Sequence, residues 1–236
     1  MSVDVETHSQ PQREPSTPLP VTPSWAMLRT LAGIATLSGL LVVMVYQFTQ
    51  PIIAENERVL TERAVFEVLP GASSNVIFIL DEHGISQVGE GRSGVRIFAG
   101  YRPDGSLRGI AFPAAARGYQ DVIQFLFGYD PACACIIGSK VLRSTETPGL
   151  GDKIDNDPRF LANFDALDAR LDPDGRALLN PITLVAQGTK TDPWQIDGIS
   201  GSTISAQAMA RALNEAAQRF LPIIQREQAT LTQPTP

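Results

Sequence analysis

The amino-acid sequence predicts an α+β protein: one N-terminal transmembrane helix, then a single domain with a mainly antiparallel sheet and flanking helices. Three observations carry this. A charge-free apolar run lies near the N-terminus, short apolar runs separated by turn signals fill the middle, and a long stretch of helical periodicity closes the chain. Of the 236 residues, a tail and one span leave enough chain for one domain with a real core, and little for two.

Residues 1–24 are rich in Pro, Ser, Thr and Gln and lack apolar periodicity, which predicts a disordered tail. From Thr30 to Ala54 there is no charged residue. The centre of that run, Leu31 to Phe48, is apolar enough to cross a hydrocarbon core of about 30 Å. A cleaved signal would carry a shorter apolar region and a small-residue cleavage site after it. Neither is evident, so residues 25–53 are expected to be a retained membrane anchor. Arg29 precedes the span and Glu55 and Glu57 follow it, a bias that favours a cytoplasmic N-terminus and a domain on the other side. Residues 54–72 predict a connecting helix, with Val59, Leu60, Val65, Phe66 and Leu69 forming a partial stripe and Pro70-Gly71 stopping it.

The domain is expected over residues 73–226. Asn75 to Leu80 reads as a strand. Gly94 to Tyr101 and Leu107 to Pro113 flank the turn signal Pro103-Asp104-Gly105. Val122 to Asp130 alternates, and Cys133 to Arg143 is its expected hairpin partner across Asp130-Pro131. Residues 152–180 mix Asp, Pro and Gly with short helical stretches, and Ile182 to Ala186 reads as a strand. From Ile204 to about Ile224, apolar positions at Ile204, Ala208, Ala212, Ala216 and Phe220 recur at helical spacing. Residues 227–236 are polar and predict a disordered tail.

Composition narrows the function. The formal net charge is −6, with no basic stripe, which argues against nucleic acid as a partner. Two histidines, His8 and His83, leave little material for a metal centre, and no metal site is expected. Cys133 and Cys135, one residue apart and on one face of a strand, are expected to be two small core residues, a disulfide or redox role being the lesser reading.

Two segments stand out chemically. Asp197-Gly198-Ile199-Ser200-Gly201-Ser202-Thr203-Ile204-Ser205 crowds glycines and hydroxyls at the opening of the last long helix. Free backbone N–H groups and the helix dipole make such a start a good seat for a phosphate, and equally a plain N-cap cluster. Glu146-Thr147-Pro148-Gly149-Leu150-Gly151 makes a rigid turn that brings a carboxylate and a hydroxyl together. On its own residues it reads equally as a strand-to-helix connection.

The two segments in this order and spacing, behind one N-terminal span, resemble the FMN-binding domain family. Within it the resemblance is to the G subunits of the Rnf electron-transport complexes, and the C subunits of the sodium-pumping NADH:quinone reductases share the layout. The likeness covers nearly all of residues 25–225. It implies an extracytoplasmic FMN-binding domain in which Thr203 holds FMN covalently through a phosphoester bond. Ser200, Gly201 and Ser205 match the flanks of the threonine signature, Asp197 matches an acidic position upstream, and Ser202 stands where alanine is usual, adding a second hydroxyl. The resemblance also implies that Glu146, Thr147, Leu150 and Gly151 lie by the flavin; Tyr119, after Gly118, reads equally as packing near the flavin and as a core residue.

As implied by the resemblance, the chain is an electron-relay subunit of a membrane-bound, ion-translocating ferredoxin:NAD oxidoreductase. Its partners would be the membrane and peripheral subunits of that complex, the lipid bilayer, and a flavin transferase that uses FAD as donor. The place would be the bacterial inner membrane, with the domain periplasmic. No catalytic residue is expected, because a relay moves no substrate atoms. The rival readings are the corresponding quinone-reductase subunit, a membrane-anchored flavin-bearing regulator, and a non-flavin binding module in which the hydroxyls only cap a helix.

Overall fold

The computed structural model describes residues 24–88 and 93–232, so the expected N-terminal tail lies outside the described residues. The chain falls into two compact units, residues 1–54 and 55–236. Helix α1 runs from Ser24 to Val68. Within the first unit, Leu31, Ile34, Leu37, Leu41 and Val45 are all exposed, and the helix is long and apolar enough to cross a membrane. An apolar surface open on every side, with no protein against it, is what a lipid environment accepts and water does not.

The second unit is built on a seven-stranded antiparallel sheet. Its strands are β1 (Ser74–Asp81), β2 (Gly84–Gln87), β3 (Val95–Tyr101), β4 (Leu107–Arg117), β5 (Val122–Asp130), β6 (Cys135–Arg143) and β7 (Leu167–Asp168), in the order β2-β1-β3-β4-β5-β6-β7. Short helices α2 (Lys153–Asn156) and α3 (Pro158–Leu161) lie between β6 and β7. Strands β8 (Thr183–Val185) and β9 (Gln195–Asp197) form a separate parallel pair. The chain then enters α4 (Thr203–Arg226) and a short α5 (Gln228–Thr232).

Period-two alternation divides the sheet's two faces. Phe112 pairs with Phe127 on one face, where Phe220 of α4 meets Phe112 edge-on at 5.9 Å between ring centres. Met209, Leu213, Leu221 and Ile224 extend that layer, each wholly buried. Such side chains contribute roughly 1.5 to 3 kcal/mol each on leaving water. Ala111 and Leu126, one residue along, point to the other face, where Ala64, Val65, Val68 and Leu69 pack. There the sheet carries Gly100, Gly109, Gly128 and Gly138 on four successive strands. A Cβ on Gly128 would fall 2.0 Å from the Val68 carbonyl oxygen, and one on Gly138 would fall 2.7 Å from it. The glycines open a trough across the strands: at Gly128 and Gly138 the end of α1 meets it main chain against main chain, and at Gly100 and Gly109 the Leu69 side chain fills it.

Three expectations need correction. Strand β4 does not end at Pro113 but continues to Arg117. Its pairing with β3 stops at Ala111, so a missing N–H beyond that point interrupts no ladder on that side. Residues 228–232, expected in a disordered tail, form α5: Leu231 is buried and its carbonyl accepts the Tyr101 hydroxyl at 2.7 Å. Cys133 and Cys135 are not two core residues on one strand face. Cys133 is exposed in the β5–β6 turn, Cys135 opens β6 buried, and a disulfide joins them. Ala134 between them has φ +53°, and this left-handed residue turns the two side chains toward each other.

Candidate functional site

Residues from three separate turns meet at the start of α4. The first is the β4–β5 turn, closed by the Gly118 N–H donating to the Asp121 carbonyl at 2.8 Å. The second follows β6. There the Glu146 N–H donates to Ser144 Oγ, and the Leu150 N–H donates to the Thr147 carbonyl. Gly149, at φ +77°, supplies the left-handed step in that turn. The third is the entry to α4, where Gly201 adopts φ +85°.

Glu146 ties the three together. It is only 7% exposed, and its carboxylate accepts the Gln120 N–H at 3.0 Å and the Ser205 hydroxyl. The Gln120 side chain also donates to Thr147 Oγ at 2.9 Å. Two glycines make room for this carboxylate: a Cβ on Gly118 would come within 2.7 Å of Oε1, and one on Gly151 within 2.6 Å of Oε2. A buried carboxylate is tolerable only with such donors around it.

The hydroxyls at the helix start are then sorted by use. Ser202, 3% exposed, is the N-cap residue, but its Oγ makes no cap bond and donates instead to the Gly151 carbonyl at 3.1 Å. Ser205, 2% exposed, is committed to Glu146. Thr203 is exposed, and among the described residues its side chain has no hydrogen-bond partner. The first-turn N–H groups of α4 lack a side-chain cap, so they remain available to an anion.

These residues enclose a cavity of about 350 Å³ lined by Glu146, Thr147, Leu150, Gly151, Gly201, Ser202, Thr203 and Ser205, with Tyr119 and Ile204 completing it. Tyr119, Leu150 and Ile204 leave apolar surface exposed at its mouth. Of the residues singled out in the sequence, Asp197 and Ser200 do not line it. The Asp197 carboxylate accepts the Gly188 N–H at 2.7 Å and faces a separate cavity of about 190 Å³. Ser200 gives both its N–H and its hydroxyl to the Gln187 side chain. Both residues hold the loop before α4 in place rather than facing the cavity. Ile204 was legible only as a helix position, and Lys153, which reaches the rim at Gly201, gave no signal in the sequence.

The described residues contain no cluster of His, Cys, Asp and Glu suited to a metal ion. The arrangement offers a hydroxyl free to react, an anion-binding helix start and an apolar shelf beside them. Those are the demands of a phosphate-bearing ligand with a flat ring.

Comparison with known proteins agrees. Residues 118–218 match the FMN-binding domain family, a span that opens at the β4–β5 turn and includes both segments. The G subunit of the ion-translocating oxidoreductase complex from Pseudomonas aeruginosa is 32% identical over 208 residues, 83% of this chain and 89% of the relative. The protein of the same name from Methanosarcina acetivorans is 28% identical over 187 residues, covering 79% of this chain and 89% of that one. The crystal structure of Shewanella oneidensis NqrC shares the fold at TM-score 0.51 and 18% identity, over 72% of this chain and 87% of that one. The C subunit of the Na(+)-translocating NADH-quinone reductase from Parabacteroides distasonis does so at TM-score 0.54 and 18% identity, over 78% and 97%. With a relative 32% identical over 83% of its own length and a matched FMN-binding domain, this chain belongs to the family of G subunits of Rnf-type ion-translocating oxidoreductase complexes.

Proposed function

We propose that this chain is an electron-relay subunit of a membrane-bound, Rnf-type ion-translocating oxidoreductase and that Thr203 carries its FMN covalently. The observation that carries the attachment is the sorting of hydroxyls. Ser202 and Ser205 are buried and already donate to Gly151 and Glu146, whereas Thr203 is exposed and unpartnered among the described residues. Attachment from FAD would join the Thr203 Oγ to the flavin-bearing phosphorus in place of the pyrophosphate bond, with AMP and the hydroxyl proton leaving. A separate flavin transferase would position the donor; the Glu146 carboxylate in the lining is already engaged by the Gln120 N–H and the Ser205 hydroxyl.

The bound flavin supplies the redox chemistry. The protein's part is placement. The α4 N-terminus favours the remaining phosphodiester charge by roughly 0.3 to 1 kcal/mol. Leu150, Ile204 and Tyr119 provide apolar surface for a ring. Glu146 fixes the three turns relative to one another rather than exchanging protons with a substrate. In this reading the apolar part of α1 spans the bacterial inner membrane, with the N-terminus cytoplasmic and the domain periplasmic. Covalent attachment suits that side, because a cofactor lost there is diluted away.

Intact mass of the native chain, with peptide mapping, tests the assignment. The expected result is one flavin-phosphoryl adduct on the peptide bearing Thr203, absent from Thr203→Ala. An adduct that survives in Thr203→Ala overturns it.

A further inference from the structure

The cavity at the start of α4 has one charged residue in its lining, the carboxylate of Glu146. That residue repels rather than holds an anion. A cation nevertheless reaches the rim. Lys153, the first residue of α2, extends its Nζ to the turn before Thr203, where it donates to the Ser200 carbonyl at 3.2 Å. It lies 3.2 Å from the position a Cβ on Gly201 would take.

The sequence contains only the lysines Lys140, Lys153 and Lys190; Lys140 is ion-paired, and Lys190 is exposed and away from this cavity. Lys140 lies 3.4 Å from both Glu67 and Asp155. Burial works against its charge, but the two carboxylates outweigh that and hold its pKa above the ordinary lysine value. Lys190 donates to Asn163 Oδ1 at 3.3 Å, inside the clamp that also accepts the Asp197 N–H. Lys153 is half-buried and, among the described residues, forms no ion pair. A neutral carbonyl satisfies one of its three donors and none of its charge. A partly desolvated ammonium without a counter-ion, beside an anion-binding helix start, is an incomplete site.

We infer that Lys153 is the positioning residue that pairs with the phosphoryl group carried on Thr203, released from its parking bond to Ser200 when that group arrives. This rests on the reading of Thr203 as the attachment point. The glycine at 201 belongs to the same arrangement, because a Cβ there would crowd the ammonium at 3.2 Å.

The test uses the full chain, expressed in cells that attach flavin to the wild type, with Lys153→Gln and Lys153→Arg beside it. The loaded fraction is read by intact mass at a fixed short induction, and the phosphorus NMR resonance of the loaded chain is recorded. A charge-assisted contact to phosphate predicts a loss in loading of about five- to tenfold for Lys153→Gln, with Lys153→Arg within about twofold of wild type. Where Lys153→Gln reaches full loading, its phosphorus resonance is displaced from that of the wild type. The inference is overturned if Lys153→Gln loads like wild type with an unmoved resonance, or if Lys153→Arg falls as far as Lys153→Gln. A wild-type adduct that maps to a residue other than Thr203 would remove the reading of Thr203 itself; normal loading with an unmoved resonance in Lys153→Gln removes only the role of the lysine.

Discussion

Helix α4 borders two cavities of similar size, and they are opposites. One lies at its mouth, about 350 Å³, where Glu146, Ser202, Thr203 and Ser205 converge. The other lies along its flank, about 390 Å³, between Ala212, Ala216 and Phe220 of the helix and Pro113, Ala114 and Phe125 of the sheet. The flank cavity is slightly larger, both are mostly apolar, and Gln124, Glu215 and Arg219 are among the residues lining the flank one. It exists because alanines at i, i+4 are too short to fill the space between helix and sheet. Volume therefore says little about function here. What separates the two is directed polar chemistry: buried donors spent on fixed partners, and one hydroxyl left free.

That contrast can be broken by substitution. The largest effect is expected at Thr203. Thr203→Ala should remove attached flavin entirely yet change stability by only about 0.5 kcal/mol or less, as an exposed first-turn residue. In-gel flavin fluorescence after denaturation, with a thermal melt of the same sample, reads both. Glu146→Ala comes next. It strands the Ser205 hydroxyl and the Gln120 N–H, and should lower stability by about 2 to 4 kcal/mol. A melt within a degree of wild type would show that the three turns do not depend on this carboxylate. Ser202→Ala should cost about 1 kcal/mol through the lost bond to Gly151, while leaving flavin attached. Loss of the adduct in Ser202→Ala would mean that the two hydroxyls had been assigned the wrong way round. The smallest effect belongs to the flank: Ala216→Leu should alter stability by about 1 kcal/mol or less and leave flavin content at the wild-type level. A drop in flavin there would show that the two ends of α4 are not independent.

The same contrast explains what the sequence revealed. Long alternating or periodic runs were legible, because their burial is dictated by local spacing. Strand β5 is found where alternation placed it, and α4 begins one residue from its expected start. Strands β7 and β9, at two and three residues, are too short to generate a period. Helix α5 is held by a single buried leucine and a tyrosine 130 positions away. The cavity itself was partly legible, since glycines and hydroxyls gather at both segments. Its closure was not: Ser205 and Glu146 are 59 residues apart, and no local pattern records that they meet. Asp197 and Ser200 were grouped with the cavity because the resemblance matched Ser200 to the threonine signature and Asp197 to the position upstream of it. The local backbone turns them instead toward Gly188 and Gln187. Lys153 was invisible for the same reason, being defined by what its long arm reaches.

The glycine trough on the far side of the sheet has a mechanical meaning. Under α4 the contact with the sheet is made through interdigitated side chains. At Gly128 and Gly138 the Val68 carbonyl rests on bare backbone, and no torsion is free to yield. The helix end is seated like a ball in a detent, with one axial setting. A push or pull along residues 55–69 would reach β5 and β6 directly through this backbone contact, with the Val65 and Leu69 side chains packed beside it.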